Sequence, residues 1–164
     1  MAIMDERDCC FERGKNWFRY RVGAIILRDG KVLLAKNDKA DYYYSVGGGV
    51  HHGETAGQAI VREVYEETGV RFDIDRLAVV HENFFSHDTA FIRGMDCHEL
   101  SLYFLMKPNP ADIEHCRPEV FGDQYVEWVP VEKLPHIKAF PLFLHDYLKD
   151  IPDGVAHIVT HDDE

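Results

Sequence analysis

The sequence lacks the long apolar runs and cysteine patterns that define several classes of protein. None of its apolar runs approaches the ~20 residues of a membrane span, and its charged N-terminus lacks the apolar segment of a secretory signal. The cysteines at positions 9, 10, 97 and 116 form no CxxC pair and no disulfide framework. We therefore expect reduced thiols in a cytoplasmic protein that has no membrane partner.

Clusters of lysine or arginine, which nucleic-acid-binding proteins usually carry, are also absent. The 164 residues have a formal net charge of −11, and hydrophobic residues make up 46%. This balance is ordinary for a globular protein and disfavours broad binding of nucleic acid; its plainest interpretation is solubility. The sequence has no HExxH motif and no paired Cys/His spacing, so its ten histidines do not support a zinc site.

No repeat and no linker rich in Pro, Gly or Ser divides the chain, and its length suits one domain. We expect a polar N-terminal arm over residues 1–16, a single domain over 17–150, and a polar, frayed C-terminal tail over 151–164. Strand-like and helix-like segments are mixed within the domain. This mixture indicates a mixed β-sheet with helices packed on it, α/β or α+β by class.

The domain opens with a predicted hairpin, in which two apolar strands at 18–28 and 31–36 flank the turn dipeptide Asp29-Gly30. Further strands are predicted at 42–46, 71–80, 81–85, 99–107 and 125–129. A central helix is predicted to begin with a capping box formed by Thr55 and Gln58 and to end at Gly69. A last helix is expected to begin at Pro141 and to reach about residue 149.

The most informative segment, residues 48–70, reads GGVHHGETAGQAIVREVYEETGV. Its acids Glu63, Glu66 and Glu67 are spaced i, i+3, i+4, which places them on one face of a helix. Like charges at this spacing destabilise a helix by roughly 0.2–0.5 kcal/mol per pair, so we expect a divalent cation to neutralise them. Carboxylate oxygens suit Mg²⁺ or Mn²⁺ better than zinc or copper.

An apolar side of the same helix is predicted to pack against the domain. Its members, centred roughly 140° from the acids, are Ile60, Val61, Val64 and Tyr65. We therefore expect the helix to present its carboxylates on the opposite side. The glycines at 47–49 would let the backbone approach a ligand closely, and the free N–H groups at the start of the helix suit an anionic oxygen.

Residues 48–70 resemble the Nudix box, the signature of the Nudix hydrolases. The positions that match are Gly48, Glu54, Arg62, Glu63, Val64, Glu66, Glu67, Gly69 and Val70. A WVPVEKLP segment at 128–135 is similar to the family's late strand and turn, so the resemblance covers roughly residues 18–148. It implies an α/β/α sandwich that hydrolyses a diphosphate linkage in a nucleoside diphosphate joined to another group.

The resemblance also implies a metal site. Glu66 and Glu67 would be the principal ligands of Mg²⁺, with Mn²⁺ as an alternative, and the backbone carbonyl of Gly47 would join them. Glu63 would be a further ligand or the general base that takes a proton from the attacking water.

Further residues of the box would support this site. Arg62 would orient the carboxylate of Glu63, and Glu54 would brace the loop by pairing with Arg62. Gly48 and Gly49 would admit the phosphates of a nucleotide-type substrate.

Outside the box, the sequence offers candidates rather than assignments. The family often adds an acid ahead of the late tryptophan; Glu119 is preferred and Asp123 is second, with Asp112 and Glu114 behind them. Where many members carry a glutamate, this chain has His51, for which an exposed loop histidine is favoured over a phosphate or metal contact. Tyr44 and Phe85 could each stack on a base, although core packing explains such strand aromatics more often.

The substrate is not identified by the sequence. The signatures of family members that act on ADP-ribose and dinucleoside polyphosphates are missing, which leaves nucleoside triphosphates, sugar nucleotides and other diphosphates open. The alternative function is a catalytically inactive nucleotide-binding or sensor module on the same fold, although such relatives usually have eroded acids in the box. Whether the chain forms a homodimer also stays open.

Overall fold

The computed structural model describes residues 7–86, 94–111, 113 and 123–161. Its elements are β1 (Cys10–Arg13), β2 (Asn16–Ile25), β3 (Leu27–Arg28), β4 (Lys31–Asn37), β5 (Tyr43–Ser45), β6 (Gly47–Gly49), α1 (Ala56–Thr68), β7 (Ile74–Ser86), β8 (Asp96–Met106), β9 (Gln124–Pro130), a 3₁₀ helix (Val131–His136), β10 (Ala139–Phe140), α2 (Leu144–Tyr147) and β11 (Ala156–His161). Among the helices in these ranges, none is long and apolar enough to cross a membrane.

The strands form two mixed sheets. The first has the order β1-β2-β8-β7-β11, with β6 also paired to β2. Within it, β2 runs parallel to β8 and β7 runs parallel to β11, whereas the remaining neighbours are antiparallel. The second sheet has the order β10-β5-β4-β3, with β9 paired to β4.

The predicted opening hairpin is present, but its first half is shared between the two sheets. Asp29 and Gly30 have φ values of 50° and 72°, and this turn pairs β3 with β4 in the second sheet. Strand β2 belongs to the first sheet, and the chain passes from one sheet to the other at Ile26. The apolar run that ends β2 is buried, as a strand covered on both faces requires.

The two sheets form the middle layer, because alternate residues of a strand point to opposite faces. From β2, Val22 and Ala24 join the core that contains Ile60 and Val64 of α1. Ile25 instead joins a second core, on the side of the 3₁₀ helix and α2. Helical segments thus cover both faces of the strands. The loop that leads to α1 follows β6, a strand of three glycines that pairs with β2.

The two ends of the chain differ from the sequence expectation. Strand β1 pairs with β2 within the expected polar arm, and β11 pairs with β7 within the expected frayed tail. Only one face of β11 packs, and His157, Val159 and His161 on the other face are exposed. Because the exposed face includes the apolar Val159, apolar and polar residues alternate only weakly in the sequence. Partner strands far away in the sequence decide that these segments become strands.

Two internal elements also differ. The segments predicted as separate strands at 71–80 and 81–85 form one strand, β7, with register irregularities near Arg76 and Val79. The last helix is shorter than predicted, because α2 begins at Leu144 rather than at Pro141. The Pro141 carbonyl accepts a hydrogen bond from the Leu144 N–H, so a turn precedes the helix.

Candidate functional site

Helix α1 carries the acids, and its ends are those that the sequence predicts. Thr55 is the N-cap, and a capping box joins its side chain and backbone to Gln58. At the other end, Gly69 has φ 73° and donates its N–H to the Tyr65 carbonyl. These two ends fix the start and the length of the helix, and therefore which residues can face the sheet.

The face that α1 buries includes Ile60 and Val64, as predicted, but it extends to acids that were expected on the outer side. Glu63 and Glu67 are 8% and 4% exposed, whereas Tyr65, expected on the packed side, is 50% exposed. Glu66 remains at the edge, with 40% of its side chain exposed. The expectation that the helix presents all its carboxylates on the outer side is therefore wrong, since two of them point inward toward β6 and β2.

The glycine strand β6 makes room for these inward carboxylates. A Cβ atom at Gly48 would lie 2.6 Å from the carboxyl group of Glu63, and one at Gly47 would lie 2.1 Å from the Val22 carbonyl oxygen. Gly47 also has φ 150°, a conformation that other residues rarely adopt. The absence of side chains at these positions lets the helix approach β2 with acids at the contact.

Arg62 joins the loop to the helix through several hydrogen bonds. Its Nε and Nη2 donate to the two carboxylate oxygens of Glu54 at 2.8 and 2.9 Å, and Nη2 also donates to the Gly49 carbonyl at 3.0 Å. Its Nη1 donates to Glu63 Oε1 at 2.7 Å and to Glu66 Oε2 at 3.4 Å. The bidentate contact fixes the guanidinium, which in turn orients the Glu63 carboxylate.

Glu67 is the most buried acid of the site. Its Oε1 accepts a hydrogen bond from the Gly47 N–H at 3.2 Å. Its buried Oε2 has no hydrogen-bond partner among the described residues. Burial, together with the charge of Glu63, raises the pKa of Glu67 to about 8, and burial also raises the pKa of Glu63 despite the contact with Arg62.

The donor set fits a hard divalent cation. In the described part of the chain the acids do not converge into a three-ligand group, because Arg62 holds Glu63 and Glu66 while the Gly47 N–H holds Glu67. Even so, the buried, unpartnered Oε2 of Glu67 lies beside further carboxylates, and buried charges of one sign require a counter-charge. Oxygen donors of this kind are those that Mg²⁺ and Mn²⁺ take.

The structure places the two aromatic candidates differently. The hydroxyl of Tyr44 is buried without a partner among the described residues, and burial together with the charge of Glu67 raises its pKa. Tyr44 therefore lies next to the carboxylates. Phe85 packs edge-on against Trp17, with ring centroids 6.4 Å apart, at the end of the first sheet.

His51 and a residue of the N-terminal segment, Asp8, form a contact that sequence reasoning missed. The His51 ring nitrogens lie 3.6 Å from Asp8 Oδ1 and 3.9 Å from Glu54 Oε2, and its side chain is 16% exposed. The interpretation of His51 as an exposed loop histidine is therefore wrong. The Asp8 carboxyl occupies the space beside Gly49. No local signal predicts this contact, because it depends on Cys9 pairing with Val50.

The predicted loop acids are not brought to the helix by any described contact. Asp123 forms an ion pair with the exposed Lys39, at the start of β9. Glu119, Asp112 and Glu114 lie outside the described residues. The additional acid thus stays a prediction.

Comparisons with known proteins bear on the family and the fold. The NUDIX domain family model matches residues 17–150. A MutT-like protein from Streptomyces ambofaciens is 27% identical, over 85% of this chain and 80% of that protein. A CTP pyrophosphohydrolase from Escherichia coli (strain K12) is 40% identical, over 37% of this chain and 48% of that protein. The crystal structure of a MutT protein from Bacillus halodurans has a TM-score of 0.69 at 15% identity, over 88% of this chain and 90% of that one. This likeness confirms the predicted mixed-sheet sandwich.

Proposed function

The chain belongs to the Nudix family and is a Nudix hydrolase, an enzyme of pyrophosphate bonds, and on this premise we propose that it uses a divalent cation to hydrolyse a nucleoside diphosphate joined to another group. The observation that carries the proposal is the buried Glu67, with its unpartnered oxygen beside Glu63 and the glycine strand. A carboxyl group buried in this position is costly to ionise without a counter-charge, and a cation site is the function that it fits.

Each residue of the Nudix box has a separate proposed role. Glu63, Glu66, Glu67 and the Gly47 carbonyl would hold Mg²⁺ or Mn²⁺, which would supply positive charge for the phosphoryl oxygens and a more acidic water. Glu63 is also the proposed general base, since burial raises the pKa of its carboxyl toward the range in which a base is effective. Arg62 holds that carboxylate in place, and Glu54 holds Arg62.

Nucleoside triphosphates are the first substrates to test. The matched Escherichia coli protein is a CTP pyrophosphohydrolase, so cytidine triphosphate heads the panel, followed by other nucleoside triphosphates, sugar nucleotides, ADP-ribose and dinucleoside polyphosphates. Tyr44 and Phe85 are the proposed base contacts. Gly48 and Gly49 are the proposed contacts of the phosphates, through their backbone, since the carboxyl groups of Glu63 and Asp8 occupy the space beside these glycines.

The test is turnover of this panel with Mg²⁺ or Mn²⁺ by the wild type and by Glu66→Gln, Glu67→Gln and the control Glu12→Gln. Glu12 is exposed on β1 and far from the box in sequence. We expect Glu67→Gln to lower kcat at least about 100-fold, and Mg²⁺ to raise the Tm of the wild type but not of this variant. Hydrolysis in ¹⁸O-labelled water then locates the attacked phosphorus.

Two results would contradict the proposal. Glu66→Gln and Glu67→Gln variants that turn over the best substrate as fast as the wild type would exclude the carboxylate site. Tight nucleotide binding with no product detectable by phosphorus NMR would instead favour the sensor module. The cytoplasmic location and the oligomeric state stay predictions that this experiment does not address.

A further inference from the structure

The N-terminal segment, residues 7–9, pairs with the start of the box loop, which we define as residues 50–55 between β6 and α1. Two backbone hydrogen bonds of 2.8 and 2.7 Å join them, from the Cys9 N–H to the Val50 carbonyl and from the His52 N–H to the Arg7 carbonyl. Between these bonds, Asp8 and His51 form an antiparallel bridge. The box loop is therefore held by residues that lie outside the Nudix box.

The side chains of Asp8 and His51 meet because residues directly opposite each other in an antiparallel pair point to the same side. The Asp8 side chain is only 6% exposed, and its Oδ1 lies 3.6 Å from His51 Nε2. The other ring nitrogen of His51 lies 3.9 Å from Glu54 Oε2. Each ring nitrogen thus faces one carboxylate, and a protonated imidazole has an N–H for both.

Glu54 connects this contact to the proposed general base. Its Oε2 accepts the His51 N–H at 3.0 Å and Arg62 Nη2 at 2.9 Å, and Arg62 Nη1 donates to Glu63 at 2.7 Å. Hydrogen bonding to Arg62 lowers the pKa of Glu54 against the effect of burial, and the N–H and the charge of His51 lower it further. A continuous series of contacts therefore links the N-terminal segment to the Glu63 carboxylate.

The buried carboxyl of Asp8 has two possible roles. A buried carboxylate needs a positive partner. Burial lowers the pKa of Arg19, and the charge of Asp8 is among the effects that oppose this, so Asp8 could serve only as a counter-charge. The backbone pairing favours a role toward the box loop, because it places Asp8 directly opposite His51.

We propose that Asp8 and His51 are positioning residues for the hydrolysis. They hold the Glu54–Arg62 pair, which in turn orients the carboxylate of Glu63. This inference rests on the proposed function, and it extends the site to a segment outside the Nudix box. Loss of either side chain leaves the base and the metal ligands in the chain but orients the base less well, so kcat falls while KM is nearly unchanged.

The first test is steady-state kinetics of Asp8→Asn and His51→Ala on the best substrate of the panel, at a temperature where thermal melts show every variant to be folded. We expect kcat to fall about 5-fold in Asp8→Asn and about 10-fold in His51→Ala, with KM changed less than about 2-fold. The controls Asp153→Asn and His136→Ala change exposed residues of the same types and keep the wild-type kcat. Wild-type kcat values in both Asp8→Asn and His51→Ala overturn the proposal.

A cycle with Glu54 separates positioning from a counter-charge role. In a Glu54→Gln background, where the link to the base is already weakened, adding Asp8→Asn should change kcat by less than about 2-fold. If the effects of the two substitutions instead multiply, Asp8 acts independently of Glu54, as a counter-charge of Arg19 would, and the proposal is wrong.

Nuclear magnetic resonance of the Arg62 side chain gives a readout without turnover. Its Nε–H signal is identified by its loss in Arg62→Lys. We expect this proton to exchange with water about 5-fold faster in Asp8→Asn than in the wild type, because the carboxylate that binds it is held less firmly. Equal exchange rates in the two proteins contradict the proposal. The proposed function is judged separately, from the turnover of Glu67→Gln.

Discussion

At the scale of single residues, the site depends on its glycines as much as on its acids. The Glu63 carboxyl occupies the space that a Cβ atom of Gly48 would take, at 2.6 Å. Because the carboxyl is the far end of a flexible side chain, the fold can tolerate a methyl group there, but Glu63 would have to leave its position beside Arg62.

We therefore expect Gly48→Ala to fold and to lower kcat by about 10-fold or more, because the base is displaced. The measurement is steady-state kinetics on the best substrate of the panel, together with a thermal melt. The matched control is Gly154→Ala, where an added Cβ meets no atom within 4 Å. Equal kcat values for Gly48→Ala and the wild type would show that the position of Glu63 is not needed.

At the scale of elements, the link between the box loop and α1 is the Glu54–Arg62 pair. Hydrogen bonding to Arg62 lowers the pKa of Glu54 below its ordinary value of 4.5, although burial opposes this. A carboxyl with a lowered folded-state pKa stabilises the fold above its unfolded pKa, and this contribution is lost as the pH falls through the folded value.

Glu54→Gln should therefore destabilise the protein by about 2 kcal/mol at pH 7, and the difference from the wild type should shrink as the pH falls below 4.5. Urea unfolding at pH values between 3 and 7 measures this difference. A difference that stays constant across the whole range would mean that Glu54 acts through packing rather than through its charge.

The N-cap of α1 gives a second prediction at this scale. Thr55→Ala removes the hydroxyl that accepts the Gln58 N–H, and should cost about 1 kcal/mol. Thr55→Ser keeps the hydroxyl and is the control, so chemical denaturation should place it near the wild type. Similar stabilities for the alanine and serine variants would show that the capping box does not stabilise the helix start.

At the scale of the whole molecule, the terminal segments extend the first sheet at both edges. Strand β11 pairs in parallel with β7 over its whole length, and Thr160 donates to Asn83 Oδ1 at 2.7 Å. The Thr160 hydroxyl also lies 2.7 Å from His81 Nε2. The segment is therefore tied to the sheet that contains β2 and the glycine strand.

Hydrogen exchange measures whether this strand is part of the folded unit. We expect alternate amides in Ala156–His161 to be protected at least about 100-fold, as in an edge strand that pairs on one side only. The amides of the preceding turn near Gly154 serve as the unprotected comparison within the same chain. Uniformly fast exchange through this range would restore the interpretation of a frayed tail.

Local chemistry made much of α1 and its function predictable. The capping residues Thr55 and Gln58, the terminal Gly69 and the spacing of the acids act within a few residues, so the sequence alone determined the helix, its ends and the Nudix box. The opening turn at Asp29-Gly30 was predictable for the same reason, because its conformation depends on those two residues.

Only the tertiary structure decided that Glu63 and Glu67 are buried together with Ile60 and Val64, because the glycines of β6 leave room for the two acids. The same holds for Asp8 beside Gly49 and for β11 beside β7, since each contact joins segments that are distant in the chain. Periodicity assigns residues to a face, whereas long-range packing determines what that face meets.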